Sequence, residues 1–262
     1  MAADISVARS SARRSGQGRT TLAIRAATIL TLLVLWELLA RSGLLYEDVV
    51  PTLTAIGQGV VEILRSPDFY AHLRVTVMEI TFALVIGGTF GLLAGIVIGS
   101  NPFVADVFEP LVYYLGPTPK IIFFPLLIML FGIGEPSKIA MGAISTFFPI
   151  ALSAAAGIRE IDPVLIRVGR SFRANRYQMA MKILFPAMRE PLINGLRLAF
   201  GVSVIGVLLA EMKFARNGLG FMVTRFYQQF DMPAMYGLVL IIFAVAISVN
   251  ALIGRFSHMR PE

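Results

Sequence analysis

The sequence predicts an all-α membrane protein with about six transmembrane helices. Of its 262 residues, 56% are hydrophobic and only 15% are charged, and the mean hydropathy is +0.76. Because about one quarter of the residues in soluble domains are charged, this composition indicates an integral membrane protein. Six segments approach or reach the roughly 20 apolar residues that a membrane-spanning helix needs. They are 26–40, 78–99, 111–131, 138–157, 191–210 and 233–254.

Two of the predicted spans depart from a regular, full-length helix. The first is short, and Arg25 at its start is expected to extend its side chain toward the interface. The third contains Gly116 and three prolines between residues 117 and 125, so it cannot be one straight helix. Broken backbone at membrane depth is tolerated where it is buried in protein or lines a water-filled path.

The distribution of lysine and arginine predicts the orientation. With six spans, both termini and the loop 161–190 lie on one side, which holds about twice as many basic residues as the other. That side is therefore predicted to be cytoplasmic, and the net charge of +7 reflects topology rather than nucleic-acid binding. We expect a disordered basic cytoplasmic tail (1–25) that is not a cleaved targeting peptide, a transmembrane domain (26–255) and a second cytoplasmic tail (256–262).

The arginine-rich loop between the fourth and fifth spans predicts a helix-turn-helix. Asp162 is suited to cap a first helix, and Pro163 suits its first position. Ala174 and Asn175 interrupt the helical pattern, and Pro186 is expected to stop a second short helix. Such a unit on the cytoplasmic face is typical of a docking element for a cytoplasmic partner.

Gly87, Gly91, Gly95 and Gly99 recur at every fourth residue of the second span. Glycines at this spacing let helix backbones approach closely in lipid. We interpret this glycine ladder as a packing surface, which says nothing about a substrate.

Ionisable residues within or beside spans are candidates for function. Glu37 and Glu79 are expected near the outer interface, where a carboxylate stays solvated. Lys120 lies at the break in the third span, where it either faces a central pathway or pairs with backbone carbonyls. We hypothesise that Lys120, Glu79 and Glu211 line a pathway.

Motifs for catalysis and for cofactor binding are missing from the sequence. The chain has no cysteine, and His72 and His258 are far apart, so neither a metal site nor another cofactor is expected. It has no Gly-Lys dipeptide and hence no Walker-type phosphate loop. We therefore expect a protein that is not an enzyme, with any ATP hydrolysis supplied by a partner.

With these features the chain resembles the integral-membrane permease subunits of bacterial ABC importers of the nitrate, sulfonate and taurine type. The resemblance is best defined over 126–158, 162–186 and 195–220. It implies a type I importer-like fold in the bacterial inner membrane, in which two permease chains form the solute pathway above a cytoplasmic ABC ATPase dimer. An extracytoplasmic solute-binding protein would meet the outer loops 41–74 and 213–231. The implied substrate is a small anion (sulfonate, nitrate or taurine) or a vitamin-like precursor.

In that family the cytoplasmic loop couples the permease to the ATPase through a Glu-Ala-Ala pattern, a glycine and an Ile-x-Leu-Pro ending. Here the first pattern falls on Arg167, Val168 and Gly169, and the glycine position holds Arg173. Because arginine resists the left-handed backbone that glycine adopts freely, we expect either that Asn175 takes it or that the turn is rebuilt. The residues predicted to couple to the ATPase are Arg167, Val168, Gly169, Arg170, Phe172, Arg173, Ala174, Asn175 and Pro186.

These departures from the family pattern leave two interpretations open. The loop docks on an ATPase that has co-adjusted, or this chain is one half of a heterodimer whose other permease keeps the standard loop. Two other functional classes are an ATPase-independent secondary transporter and a membrane scaffold that transports nothing. A secondary transporter is expected to show internal repeats and an acidic site at the membrane centre, and neither is visible.

Overall fold

The computed structural model describes residues 2–43 and 49–255, and within these ranges every regular element is helical. The helices are α1 (Ala2–Arg41), α2 (Leu53–Arg65), α3 (Pro67–Ser100), α4 (Pro102–Leu115), α5 (Phe124–Phe131), α6 (Glu135–Arg159), α7 (Pro163–Ser171), α8 (Arg176–Met179), α9 (Phe185–Ala187), α10 (Arg189–Phe214), α11 (Leu219–Gln228) and α12 (Met232–Arg255). A 3₁₀ turn (Lys120–Phe123) precedes α5, and a π-helical turn (Ala180–Leu184) joins α8 to α9.

Five of these elements are long and apolar enough to cross a membrane: the Thr20–Arg41 part of α1, then α3, α6, α10 and α12. The sixth crossing is split, because α4 and the segment Lys120–Phe131 meet at an angle of 92°. Counting that bent pair as one span gives the predicted six. The bend also confirms that the third span is not a straight helix.

Helix α1 differs from the expectation for the amino terminus. Its backbone is helical from Ala2, so the prediction of a disordered tail over the first 25 residues is wrong. A polar segment that directly precedes an apolar helix can prolong that helix toward the amino terminus, because propagation is much easier than nucleation. The tail 256–262 lies outside the described residues.

The glycine ladder of α3 packs directly on α6. A Cβ added to Gly91 would lie 2.6 Å from the carbonyl oxygen of Phe147, and one added to Gly99 would lie 2.7 Å from that of Ala155. The other two glycines face α6 backbone in the same way. The prediction of a packing surface is therefore confirmed, and no larger residue fits at these positions without separating the helices.

Helix α10 completes the core on the other face of α6. Gly142 of α6 lies where three helices meet, since a Cβ there would be 2.7 Å from Ala83 of α3 and also 2.7 Å from Val207 of α10. Helices α3, α6 and α10 thus form one tightly packed unit. A second apolar cluster joins α2, α11 and α12 around Leu219 and Leu238.

A helical hairpin and a buried polar network

The loop between α6 and α10 folds into a hairpin of helical arms, 163–171 and 176–187, which we call the coupling hairpin. Its first arm begins as predicted, because Asp162 Oδ1 accepts a hydrogen bond of 2.7 Å from the backbone N–H of Val164. The second arm begins with a capping box. Asn175 Oδ1 accepts from Gln178 N at 2.7 Å, and Gln178 Oε1 accepts from Asn175 N at 2.9 Å.

The turn of the hairpin has arginine in a conformation that favours glycine. Arg173 has φ +52°, and it ends α7 in a Schellman motif. The N–H of Arg173 donates to Arg170 O at 2.9 Å, and that of Ala174 donates to Gly169 O at 3.0 Å. Of the two alternatives, the one in which Asn175 takes the left-handed conformation is not found, since Arg173 takes it and Asn175 caps α8. The two turn hydrogen bonds satisfy carbonyls at the helix end and offset the strain at Arg173.

The second arm ends at Ala187, one residue beyond the predicted stop at Pro186. The helical backbone passes through Pro186, because the preceding π-helical turn shifts the hydrogen-bond register: Phe185 N–H donates to Ala180 O, five residues back. Met188 N–H then bonds to Leu184 O at 2.9 Å. Proline has no N–H to offer and crowds the turn before it, so a wider turn accommodates it.

The base of the hairpin is anchored in the membrane core. Ile161 and Met188, which flank the two arms, are buried against Ala154 of α6. Leu92 of α3 and Leu192 of α10 pack against the same cluster. The hairpin is therefore joined by apolar contacts to all three helices of the packed unit.

The outer surface of the hairpin exposes apolar side chains. Phe172 at the turn is 83% exposed, and the exposed apolar positions of the first arm are Val164, Leu165 and Val168. Among the residues predicted to couple to the ATPase, Gly169 is buried between the arms, Ala174 is half-buried, and the others are exposed: Arg167, Val168, Arg170, Phe172, Arg173, Asn175 and Pro186. Their contact with a partner stays a prediction.

A buried polar network lies at the opposite end of the core. Thr76 Oγ1 of α3 donates to Glu211 Oε1 of α10 at 2.7 Å, and both residues are buried. Glu211 Oε2 accepts from the N–H of Gly220 at 2.7 Å, and Thr76 Oγ1 accepts from that of Leu219 at 2.8 Å. These backbone groups belong to the first turn of α11, where a helix leaves its N–H groups unpaired.

His72 of α3 completes this arrangement. Its Nδ1 accepts from Gly218 N at 3.0 Å, and its Nε2 lies 3.4 Å from Asp68 Oδ1. Asp68 in turn accepts from Arg225 of α11 at 2.8 Å. Three consecutive N–H groups at the start of α11 are thus held by buried side chains of α3 and α10. We call His72, Thr76 and Glu211 the α11 cap.

Glycine is required where the α11 cap meets the backbone. Gly218 has φ +110°, a conformation that residues with a Cβ rarely adopt. A Cβ at Gly220 would lie 2.5 Å from Leu208 O and 2.8 Å from the Cβ of Glu211. The Asn-Gly-Leu-Gly sequence therefore leaves space for the Glu211 carboxylate to reach the backbone.

An ion pair between Glu79 of α3 and Lys138 of α6 adjoins the α11 cap, and both residues are buried. The expectation that Glu79 stays solvated is therefore wrong. A charge in such surroundings is tolerated only when it is paired, and Lys138 supplies the partner.

The remaining candidates lie apart from this network. Lys120 Nζ donates to the carbonyls of Gly116 and Thr118 and lies 5.0 Å from the centroid of the Phe148 ring. Of the two alternatives predicted for Lys120, the structure therefore shows the one in which it pairs with backbone carbonyls. Glu37 accepts hydrogen bonds from Arg41 and from the backbone at the start of α2. A pathway role for Lys120, Glu79 and Glu211 stays a prediction.

The sequence contains a signal for the buried residues His72 and Thr76, which were not predicted to be functional. Helix α3 begins about a turn and a half before His72, at Pro67, rather than near residue 78. Extending the glycine ladder in steps of three or four residues toward this start leads through Ala83, Glu79 and Thr76 to His72. All four are buried with the ladder on one face of α3.

The fold is that of a multi-span helical membrane protein, and comparison with a solved structure agrees. In the solved structure of a bacterial alginate ABC transporter, in complex with an alginate-pentasaccharide-bound periplasmic protein, one chain superposes with a TM-score of 0.61 at 15% identity. The match covers 90% of this chain and 96% of that one.

Sequence comparison defines the family. Residues 87–258 match the family described as binding-protein-dependent transport system inner membrane component. The taurine transport system permease protein of Escherichia coli strain K12 is 31% identical over 78% of this chain and 76% of its own length. The nitrate import permease protein of Synechocystis sp. strain PCC 6803 is 25% identical over 76% of this chain and 74% of its own length. The chain belongs to this family and is a membrane-spanning permease subunit of an ABC importer.

Proposed function

We propose that this permease is driven by a separate ATP-binding subunit that docks on the coupling hairpin. The observation that carries the proposal is the exposed apolar surface formed by Val164, Leu165, Val168 and Phe172 on a firmly structured cytoplasmic unit. Exposed apolar clusters of this kind mark interaction sites. The hairpin has no phosphate-binding motif, so its role is mechanical and ATP hydrolysis takes place in the partner.

The construction of the hairpin suits the transmission of force. Each arm is capped by its own side chains, and the base shares an apolar cluster with α3, α6 and α10. A flexible loop would deform when the docked ATPase subunit moves, whereas this hairpin would transmit the movement to the packed helices. Movement of the ATPase subunits would then shift the packed helices between inward- and outward-open arrangements.

The charge of the hairpin indicates the chemistry of the docking groove. Arg167, Arg170 and Arg173 are exposed around the apolar surface, and no ion pair of theirs occurs among the described residues. A complementary groove on the ATPase would combine carboxylates with an apolar pocket for Phe172. This fits an ATPase that has co-adjusted to the arginines.

The permease would act as a dimer with both termini in the cytoplasm. The spanning part of α1 buries no side chain within its own chain, and the bent third span requires protein or water around its broken backbone. A second permease chain, identical or divergent, would satisfy both. A solute-binding protein would deliver the solute from the opposite side.

The substrate would be a small solute with an anionic group, such as a sulfonate or nitrate, or a vitamin-like precursor. The relatives transport taurine and nitrate by their names. Lys120 places a cation at the break in the third span, and it pairs with no carboxylate among the residues that the structure describes. A cation held by carbonyls and an aromatic ring keeps a net positive charge, which would attract an anion.

Site-specific crosslinking tests the coupling role. The chain has no native cysteine, so Phe172→Cys introduces a single reactive thiol at the hairpin turn. We expect a thiol-to-amine crosslinker to join this variant to an ATP-binding subunit in native membranes, identified by mass spectrometry. Phe103→Cys, which replaces a 76%-exposed phenylalanine at the start of α4 on the same side, is the matched control and should give no such product.

Two outcomes would count against the proposal. If no ATPase is captured by Phe172→Cys, the hairpin is not the docking element. If Arg167→Glu and Arg173→Glu leave ATPase association and transport untouched, these arginines make no contact. A second, distinct permease in the purified complex would establish the heterodimer.

A further inference from the structure

We infer that an anionic phospholipid binds between α10 and α12, with its phosphate on Arg197 and one acyl chain in an apolar cleft beside that residue. The cleft has a volume of about 290 Å³ and lies between α3, α10 and α12. Along α10 it extends from Leu196 to Leu208, which is about 18 Å at a rise of about 1.5 Å per residue. One leaflet of the hydrocarbon core is about 15 Å thick, so the cleft is long enough for the acyl chain of one leaflet.

The lining of this cleft excludes a polar solute. Of the described residues that line it, all are apolar except Thr76 and Thr81, and both hydroxyls already donate hydrogen bonds. Thr76 Oγ1 donates to Glu211, and Thr81 Oγ1 donates to the carbonyl oxygen of Val77 in its own helix at 2.7 Å. A charged or hydrogen-bonding solute would therefore lose its water without replacement, whereas a hydrocarbon chain has no such bonds to lose.

The side chains of the cleft also favour an acyl chain over a second protein helix. Helices that pack together in a membrane meet through small residues, as the glycine ladder of α3 does against α6. Among the described residues that line the cleft, only Ala246 is smaller than threonine. The bulky side chains hold the backbone of another helix at a distance, and a thin, flexible chain fills the space between them.

Arg197 supplies a cation at one end of the cleft. It follows Leu196 in α10, and its Nε donates to Asn250 Oδ1 of α12 at 3.3 Å. Gly254 lets the guanidinium lie against α12, since a Cβ there would be 3.2 Å from Arg197 Cζ. The side chain is exposed, and no carboxylate in the described part of the chain pairs with it. Its Nη groups can therefore donate to a phosphate, which a guanidinium binds well.

Arg255 adds a second positive charge at this end of the cleft. It follows Gly254 at the end of α12 and is exposed as well. A basic pocket between membrane helices is typical of a binding site for an anionic headgroup. Both arginines lie at the end of the core from which the coupling hairpin emerges, because Ala187 ends the hairpin and α10 begins at Arg189. The lipid would thus belong to the cytoplasmic leaflet, and only this choice of leaflet rests on the proposed function.

Native mass spectrometry of the purified chain in mild detergent tests the headgroup site, with phosphatidylglycerol as the probe. Phosphatidylcholine, whose headgroup has no net charge, is the comparison and should bind more weakly. Arg197→Gln should raise the Kd for phosphatidylglycerol about tenfold, because hydrogen bonds to a charged group are lost. Arg25→Gln is the matched control, since Arg25 is exposed at the start of the first span and does not line the cleft. It should bind phosphatidylglycerol like the wild type.

A second pair of variants tests the acyl chain separately. Ala246→Phe fills the cleft from α12, so we expect the Kd for phosphatidylglycerol to rise about fivefold, because many weak dispersion contacts with the chain are lost. Ala244→Phe makes the same change at an exposed position of α12 outside the cleft and should leave the Kd unchanged. Thermal unfolding in phosphatidylcholine nanodiscs should be the same for both variants, which separates lost lipid binding from a damaged fold.

The identity of the occupant is tested by photocrosslinking. The chain has no native cysteine, so a benzophenone attached to Val245→Cys reacts only from the cleft, where Val245 is 41% exposed. We expect an adduct with phospholipid in membranes. An adduct with a second permease chain would show instead that a protein helix fills the cleft, and it would overturn the inference.

Three further results would also overturn it. Equal binding of the two lipids by the wild type would show that the site does not select an anionic headgroup. A wild-type Kd for Arg197→Gln would show that this residue holds no phosphate. Thermal stabilisation by soluble glycerol phosphate as large as that by phosphatidylglycerol would make the site one for a free anion. None of these results bears on docking of the ATPase, which Phe172→Cys tests separately.

Discussion

The coupling hairpin and helix α11 are short helical elements at opposite ends of the same packed core, and each ends at a left-handed residue other than glycine. Arg173 follows α7, and Phe230 follows α11. Their starts differ. The hairpin arms are capped by Asp162 and by the Asn175–Gln178 pair, all within three residues of the helix they cap. The start of α11 is held by α3 and α10 instead.

This difference shows how each element is joined to the core. The hairpin is a locally complete unit that the core holds by apolar contacts at its base. Helix α11 depends on buried polar groups of α3 that lie more than 140 residues away in sequence from the atoms they bind. Damage to the polar network should therefore cost more than equivalent damage to the hairpin, and the following predictions test that contrast.

The largest effect is expected for Lys138→Met, which leaves Glu79 buried without its partner. Removal of one member of a buried pair typically costs about 3–5 kcal/mol of unfolding free energy. The measurement is an SDS-unfolding titration of the purified chain in mild detergent. The double variant Glu79→Leu/Lys138→Met should recover most of the loss, since apolar replacement of both members is often neutral. A single variant as stable as the wild type would mean that the pair is not isolated from water.

A smaller effect is expected for alanine at the two glycines that pack inside these regions. Gly220→Ala places a Cβ against the backbone oxygen of Leu208, which cannot yield, so we expect a loss of about 2 kcal/mol. Gly169→Ala meets the flexible ends of Ile183 and Met179 and should cost less. The same SDS titration compares the two variants. Equal losses of unfolding free energy would contradict the expected difference between α11 and the coupling hairpin.

The local cap of the hairpin gives the next effect. Asp162→Ala removes the acceptor for Val164 N–H and should cost about 1 kcal/mol. The loss should appear as faster hydrogen exchange in α7 while exchange in α11 is unchanged. Asp162→Asn keeps an acceptor and serves as the control. Faster exchange throughout the core would show that the hairpin is not a local unit.

The smallest effect is a gain. Arg173→Gly removes the strain of a left-handed arginine, and after the entropy cost of glycine in the unfolded chain we expect a gain of about 0.5–1 kcal/mol. Ala174→Gly, next in sequence and without a positive φ, should destabilise slightly. Thermal unfolding of both variants checks the sign, and a loss for Arg173→Gly would mean that its side chain makes a stabilising contact.

The success of the sequence-based predictions depends on the same difference between local and distant contacts. The spans, the bend in the third span, the glycine packing surface and the Asp162 cap depend on composition and on residues close together in the chain, and these predictions are confirmed. The left-handed conformation of Arg173 and the helical conformation of Pro186 were not predicted. Both depend on a balance between local strain and hydrogen bonds several residues away, which intrinsic propensity does not decide.

The sequence by itself determined that this is a multi-span helical membrane protein with a separate helical hairpin, because hydropathy, charge bias and caps act over short distances along the chain. Only the tertiary structure decided that Glu79 pairs with Lys138 and that His72, Thr76 and Glu211 hold the start of α11. The partners in these contacts lie on different helices. A buried polar group in a membrane core takes whichever partner the packing of those helices brings within reach, and that choice is made in three dimensions.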